Sequence, residues 1–201
     1  MRIGIFGGTF NPIHWGHLLL AETARERLSL DRVLFVPARR PPHKRGGGLL
    51  KGEVRLVLIR LAIRHHPAFV ASAIELKRPG VSYSIETVRA IRAAWPRATL
   101  YLLIGQDMLQ VQWVGWDELK RLCTIVVARR PGVGGARRER SIQWLEMPAV
   151  DIASSDIRDR LRRGRSIRYL VPDPVERAIR RRRCRAKRRH QQSRCQCHQR
   201  T

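Results

Sequence analysis

Apolar residues along this chain fall into short runs separated by stretches of helical spacing, and the two kinds of segment alternate. Ile3-Gly4-Ile5-Phe6 is an apolar run broken by Gly7-Gly8, after which apolar and polar positions from Leu18 to Leu28 recur with the period of a helix. A second run, Val33-Leu34-Phe35-Val36, is ended by Pro37, and a helical segment from Glu53 to His65 follows Gly46-Gly47-Gly48. The same reading predicts strands over Phe69 to Ala73, Leu100 to Ile104 and Thr124 to Ala128. It predicts helices over Ser84 to Trp95 and Trp116 to Leu122. Strands alternating with helices imply an α/β fold, a doubly wound parallel sheet covered on both faces. Such sheets take ligands beyond the carboxyl ends of their strands, where strand order reverses. The loops Gly7 to His17, Pro37 to Lys44 and Gly105 to Trp113 are therefore the places to look for chemistry, together with Ile152 to Arg158 before the final helices.

Length bounds this picture. A chain of 201 residues suits one sizeable domain, expected over residues 1–183. Its short C-terminal helical part includes a basic linker, Arg162 to Arg168, and a last helix over Pro172 to Arg183. Residues 184–201 are polar, basic and aperiodic, and are expected to form a disordered tail. No run of eighteen apolar residues occurs, and Met1 leads straight into the first strand without a signal-peptide layout, so a cytoplasmic protein without a membrane partner is expected. Three of the four cysteines lie beyond residue 180, leaving only Cys123 in the folded part and no disulfide framework there. Cys195-Gln196-Cys197-His198 could ligate a metal with Cys184, but a zinc site needs four placed ligands and a supporting fold, so none is expected.

The net charge of +25 is partly local: eleven Lys or Arg and no acidic residue lie between Arg177 and the end, so residues 1–176 still carry +14. A positive field of that size suits polyanionic ligands without saying which. It keeps one non-enzymatic reading open, nucleic-acid binding through the tail, and weak tail association could coexist with catalysis.

The most informative string is Gly7-Gly8-Thr9-Phe10-Asn11-Pro12-Ile13-His14-Trp15-Gly16-His17-Leu18. Two histidines three apart at a helix opening point the same way, beside backbone N–H groups that the helix cannot pair. Gly7 and Gly8 allow a sharp turn, and Gly16 lets a phosphate approach closely. The plainer alternative is that His14 and His17 only cap the helix. Gly4, Gly7 and Gly8 lack the Gly-x-Gly-x-x-Gly spacing of a dinucleotide-dehydrogenase loop, which would also leave both histidines unused. Ile152-Ala153-Ser154-Ser155-Asp156-Ile157-Arg158 reads as a second anion cup, with hydroxyls at a helix opening and Arg158 one turn in. Its alternative is an ordinary N-cap.

The string GGTFNPIHWGHL resembles the opening of the HxGH nucleotidyltransferase superfamily, in particular bacterial nicotinate-nucleotide adenylyltransferases, where Asp is more usual at the place of Asn11. Further matches follow: Pro41-Pro42-His43-Lys44, Ser82-Tyr83-Ser84, Ile104-Gly105-Gln106-Asp107, the 152–158 segment, and Gly164 to Pro172. The resemblance spans roughly residues 1 to 180 and implies a Rossmann-like fold and adenylyl transfer from ATP to nicotinate mononucleotide. It implies catalytic roles for His14, His17, Lys44 and Arg158. ATP would be bound by Gly7, Gly8, Thr9, Phe10, Gly16, Gly105, Asp107, Ser154, Ser155 and Ile157. The mononucleotide would be bound by Thr9, Asn11, Lys44, Ser84 and Trp113, Ser84 standing where the family has Thr and also suiting a helix N-cap. Trp113 is the expected ring-stacking residue, with Trp116 the competing candidate for a core position. Mg²⁺ is expected, held mainly by ATP phosphates, with no dedicated protein metal site. Nicotinamide mononucleotide, or another phosphate acceptor such as pantetheine phosphate, is the alternative substrate, and a homo-oligomer is left open.

Overall fold

The computed structural model of the chain describes residues 1–42, 48–129 and 142–184. Six strands form one sheet: β1 (Arg2–Gly8), β2 (Arg32–Pro37), β3 (Phe69–Ala71), β4 (Thr99–Gly105), β5 (Thr124–Ala128) and β6 (Ile142–Leu145). All pairings are parallel and the order is β3-β2-β1-β4-β5-β6. The chain thus winds outward from β1 in one direction, then restarts at β4 and winds in the other. The crevice between the loops leaving β1 and β4 is the switch point at which such sheets take their ligands.

Alternation along β1 explains the two layers. Ile3 and Ile5 belong to a core with Val88 and Ile91 of α4 (Ser84–Ala94) and Leu119 of α5 (Trp116–Leu122). Phe6, from the opposite face, belongs to a core with Ala21 and Ala24 of α1 (Trp15–Arg27), Ile59 of α2 (Gly52–Ile63) and Ile157. Each face buries a separate apolar cluster, and near-continuous apolar strands are what a sheet covered on both faces requires. The remaining helices are the single turn α3 (Ile74–Lys77), a 3₁₀ turn at Gln106–Gln110, α6 (Ser154–Arg162) and α7 over 173–184. Among the described residues, no helix is long and apolar enough to cross a membrane.

The expected strand–helix alternation holds from β1 to β5, with β3 ending at Ala71 rather than Ala73. β6 is an addition that the apolar pattern did not predict. It is a four-residue edge strand that exposes Gln143, so neither length nor alternation marks it. The last helix begins at 173, after Pro172, and Cys184 belongs to it; residues 185–201 of the expected tail lie outside the described residues. Cys123 is buried at the end of α5, and desolvation pushes its thiol up to about 12, so it packs as an apolar group.

Candidate active site

A cavity of about 590 Å³ opens at the carboxyl ends of the strands. That volume lies within the usual range for a small-molecule site. One wall is the loop after β1 and the start of α1: Gly7, Gly8, Thr9, His14, Gly16 and His17. Opposite stand Ile152 to Ser155 and Arg158 at the start of α6. Gly105, Asp107, Met108 and Trp113 come from the loop after β4. Ala38, Pro41, Pro42, Glu75, Ser82, Tyr83 and Ser84 close the remaining side.

The histidines are capping residues and cavity residues at once, so the two sequence readings are compatible. His14 is the N-cap of α1, and its backbone N–H donates to His17 Nδ1 at 3.3 Å. An accepting Nδ1 places the proton of a neutral His17 on Nε2, which makes that nitrogen a donor. The two rings lie 3.7 Å apart, and the Phe10 ring meets His17 edge-on at 5.0 Å. A Cβ on Gly16 would sit 3.2 Å from the His14 ring and 3.6 Å from the Ile152 carbonyl, so a side chain there would crowd the contact between the two walls.

The two helix openings are tied to each other. Ser154 Oγ donates to the Pro12 carbonyl at 2.9 Å, and an Arg158 guanidinium N–H donates to the Asn11 carbonyl at 3.0 Å. Ala153, not Ser154, is the N-cap of α6. The Ser154 hydroxyl is therefore a strut between walls rather than a cap. Helix openings side by side concentrate N–H dipoles and one cation at a single anion-binding place.

After β4, Asp107 Oδ1 folds back over Gly105, where a Cβ would come within 2.5 Å of it. Trp113 donates its indole N–H to the Met108 carbonyl at 2.8 Å and lines the cavity, while Trp116 packs 5.4 Å from it and does not. Trp113 is thus the indole on the cavity wall. Ser84 also lines the cavity, but the N-cap of α4 is Tyr83, one residue earlier than expected.

Three expected ligand residues stand apart from the wall. The Phe10 side chain is 1% exposed and its ring lies beneath Gly8. Ile157 is fully buried in the core, and its N–H is spent on the Ala153 carbonyl. Asn11 turns its side chain away: its amide donates to the Gly48 carbonyl and accepts from the Leu50 N–H, pinning the segment before α2. Apolar side chains are drawn into the core, and an amide satisfied at both ends has little left for a ligand. Lys44 lies outside the described residues.

The structure adds residues that sequence reading missed. Arg55 is fully buried and donates to the carbonyls of Thr9, Ala38 and Leu50, joining the loops after β1 and β2 to the entry of α2. Burial pushes its guanidinium below the usual arginine value, and Glu53 and Glu75 pull it back. Its signal was legible, since Arg55 shares the buried stripe of α2 with Ile59 and Ile63 at four-residue spacing. Glu75 is 5% exposed and reaches the cavity from α3. Desolvation raises its carboxyl above the usual range, against the hydroxyls of Thr87 and Ser82 and the charges of Arg78 and Arg55. One acidic residue in a single helical turn gives no sequence signal.

Comparison with known proteins matches this architecture. The cytidylyltransferase-like family model covers residues 5–160. A probable nicotinate-nucleotide adenylyltransferase of Thermus thermophilus is 44% identical over 178 residues, spanning 88% of this chain and 95% of its own. One from Shouchella clausii is 43% identical over 180 residues, spanning 89% and 93%. The solved structure of Plasmodium falciparum nicotinic acid mononucleotide adenylyltransferase complexed with NaAD shares the fold at a TM-score of 0.72 and 16% identity, over 89% of this chain and 94% of that one. Sharing more than two-fifths of its aligned residues with such relatives along nearly nine-tenths of its length, the chain belongs to the cytidylyltransferase-like family and, within it, to the nicotinate-nucleotide adenylyltransferases.

Proposed function

We propose that this chain transfers AMP from ATP to the phosphate of nicotinate mononucleotide, releasing pyrophosphate and forming nicotinate adenine dinucleotide, a step of NAD biosynthesis. The observation that carries the reading is the pair of helix openings, α1 and α6, which line one cavity and are stitched to each other by two hydrogen bonds.

The nucleophile brings its own charge. A phosphate monoester has a second pKa of about 6, so it attacks the α-phosphorus of ATP without a general base. A bond forms from a mononucleotide phosphate oxygen to that phosphorus, and the bond from the phosphorus to the β-phosphate bridging oxygen breaks. Catalysis then rests on alignment and on stabilising negative charge as it builds on the pyrophosphate. His17 Nε2, His14, Arg158 and Lys44 are assigned as its donors. Gly7, Gly8, Thr9 and Gly16 leave room for the phosphates between the walls. Asp107 is assigned to a ribose hydroxyl, and Ser84 and Trp113 to the pyridine ring.

A divalent cation is typical of this family's chemistry. Among the described residues no group of three or more His, Cys, Asp or Glu is arranged to hold a metal. Mg²⁺ is assigned to the triphosphate, whose oxygens and water satisfy its preference for hard ligands. When bound, it would neutralise part of the pyrophosphate charge.

Purified protein supplied with ATP, Mg²⁺ and either nicotinate or nicotinamide mononucleotide tests the reading. Equimolar pyrophosphate and dinucleotide should appear, faster with the nicotinate substrate. Release of neither product with either substrate removes the proposal.

A further inference from the structure

The wall that closes the pyridine side is organised around one carboxylate. Thr87 Oγ1 donates to Glu75 at 2.6 Å, and the Ser82 hydroxyl and Arg78 favour the charged form of the same carboxyl. A carboxylate can only accept, so it dictates the direction of the Thr87 hydroxyl. Ser82 Oγ accepts the backbone N–H groups of Arg39 at 2.9 Å and Arg40 at 3.3 Å. Ser82 N–H returns a bond to the Arg40 carbonyl at 3.0 Å. Thr87 Oγ1 likewise accepts from Arg78 at 3.3 Å, and Arg39 wraps back to the Leu76 and Arg78 carbonyls at 3.3 and 3.2 Å. The loop leaving β2 is thereby locked to the segment that presents Tyr83 and Ser84 to the cavity.

We infer that Glu75 is a positioning residue for the mononucleotide: its carboxylate sets the direction of the Thr87 hydroxyl, which accepts from Arg78, and Arg78 together with Arg39 holds the β2 loop and the 82–84 segment at the spacing the mononucleotide requires. The inference rests on the adenylyl-transfer reading and deepens it. The ATP side, built from the α1 and α6 openings, has its own struts in Ser154 and Arg158. A glutamine at position 75 removes the negative charge that faces Arg78, and an N–H turned toward Thr87 would make that hydroxyl give up its Arg78 donor.

Kinetics of the full chain at mildly alkaline pH test this with Glu75→Gln, Thr87→Val and Thr87→Ser, each confirmed folded by thermal unfolding. Thr87 is buried on α4 and off the cavity wall, so it can act only through its neighbours. Glu75→Gln and Thr87→Val should each raise the KM for the mononucleotide about tenfold, the scale of one lost hydrogen bond to a charged group. The KM for ATP should stay within about twofold, and Thr87→Ser, which keeps the hydroxyl, should behave as wild type. Should Glu75→Gln fail to fold, the contrast between valine and serine at position 87 decides the matter. Equal rises in both KM values, a loss confined to kcat, or an unchanged mononucleotide KM in folded variants overturns the inference. A wild-type chain that makes no dinucleotide removes the activity itself, which is a different result from active variants with unchanged KM.

Discussion

The two sides of the cavity are built on different principles. The side proposed for the phosphates is made of chain openings: short motifs that follow β1 and precede α6 place His14, His17 and Arg158 with local geometry and two cross-wall bonds. The side proposed for the pyridine ring is made of a network: Glu75, Ser82, Thr87, Arg39 and Arg78 come from four separate segments joined by hydrogen bonds. A site that clasps the same triphosphate in every turnover can be carried by helix dipoles and glycines. One that must hold a particular ring needs a wall of set spacing, and side chains from distant segments supply it. Arg55 is the joint between the two, since it donates to Thr9 on one side and Ala38 on the other.

The largest expected effect breaks that joint. Arg55→Leu leaves three carbonyls without their donor and should cost about 3 to 5 kcal/mol of stability, the range for removing one partner from a buried charged network. Urea denaturation would read it as a fall in midpoint with an unchanged slope. A loss below about 1 kcal/mol would show that the loops hold without it. His17→Ala attacks the phosphate side alone and should lower kcat by about 10² to 10³-fold, the scale for removing one donor to developing negative charge. Its thermal midpoint should stay near that of wild type, and near-normal turnover would separate His17 from the chemistry.

Arg158→Ala sharpens the comparison. It should raise the KM for ATP by about tenfold or more, as loss of a charge-assisted bond implies, and leave the mononucleotide KM nearly unchanged. A rise confined to the mononucleotide would mean that the two sides have been assigned the wrong way round. The smallest effect concerns Glu75 and pH. Burial raises its carboxyl above the unfolded value, so the folded chain holds that proton more tightly than the unfolded chain does. Wild type should therefore gain stability relative to Glu75→Gln as pH falls through the raised value and lose it as pH rises. Thermal midpoints of the pair across that range measure this, and a difference that shrinks on acidification contradicts the sign.

How much of this was legible follows from the same contrast. The strand and helix boundaries at Trp116–Leu122 and Thr124–Ala128 agree with the apolar pattern residue for residue, because a sheet buried on both faces leaves a run of apolar side chains with little else to mean. The histidine pair and the 152–158 segment were legible because helix openings are local objects. Asn11 was read as a ligand, yet its amide ties down Gly48 and Leu50, partners nearly forty positions away that no local pattern announces. Phe10 and Ile157 lie within the motifs but point into the core, and a motif records which residues accompany a site without recording which way each faces.

The sequence by itself determined the alternation of strands and helices, the glycine and histidine opening of α1, and the hydroxyl–arginine opening of α6, all of which depend on residues within a few turns of one another. Only the tertiary structure decided that these openings are bonded to each other beside one cavity, that β6 extends the sheet, and that Arg55 and Glu75 organise the loops between them. The physical reason is range: propensity, capping and periodicity act over single turns, whereas a buried charge finds its partners wherever the folded chain brings them, and its position in the sequence carries no trace of which they will be.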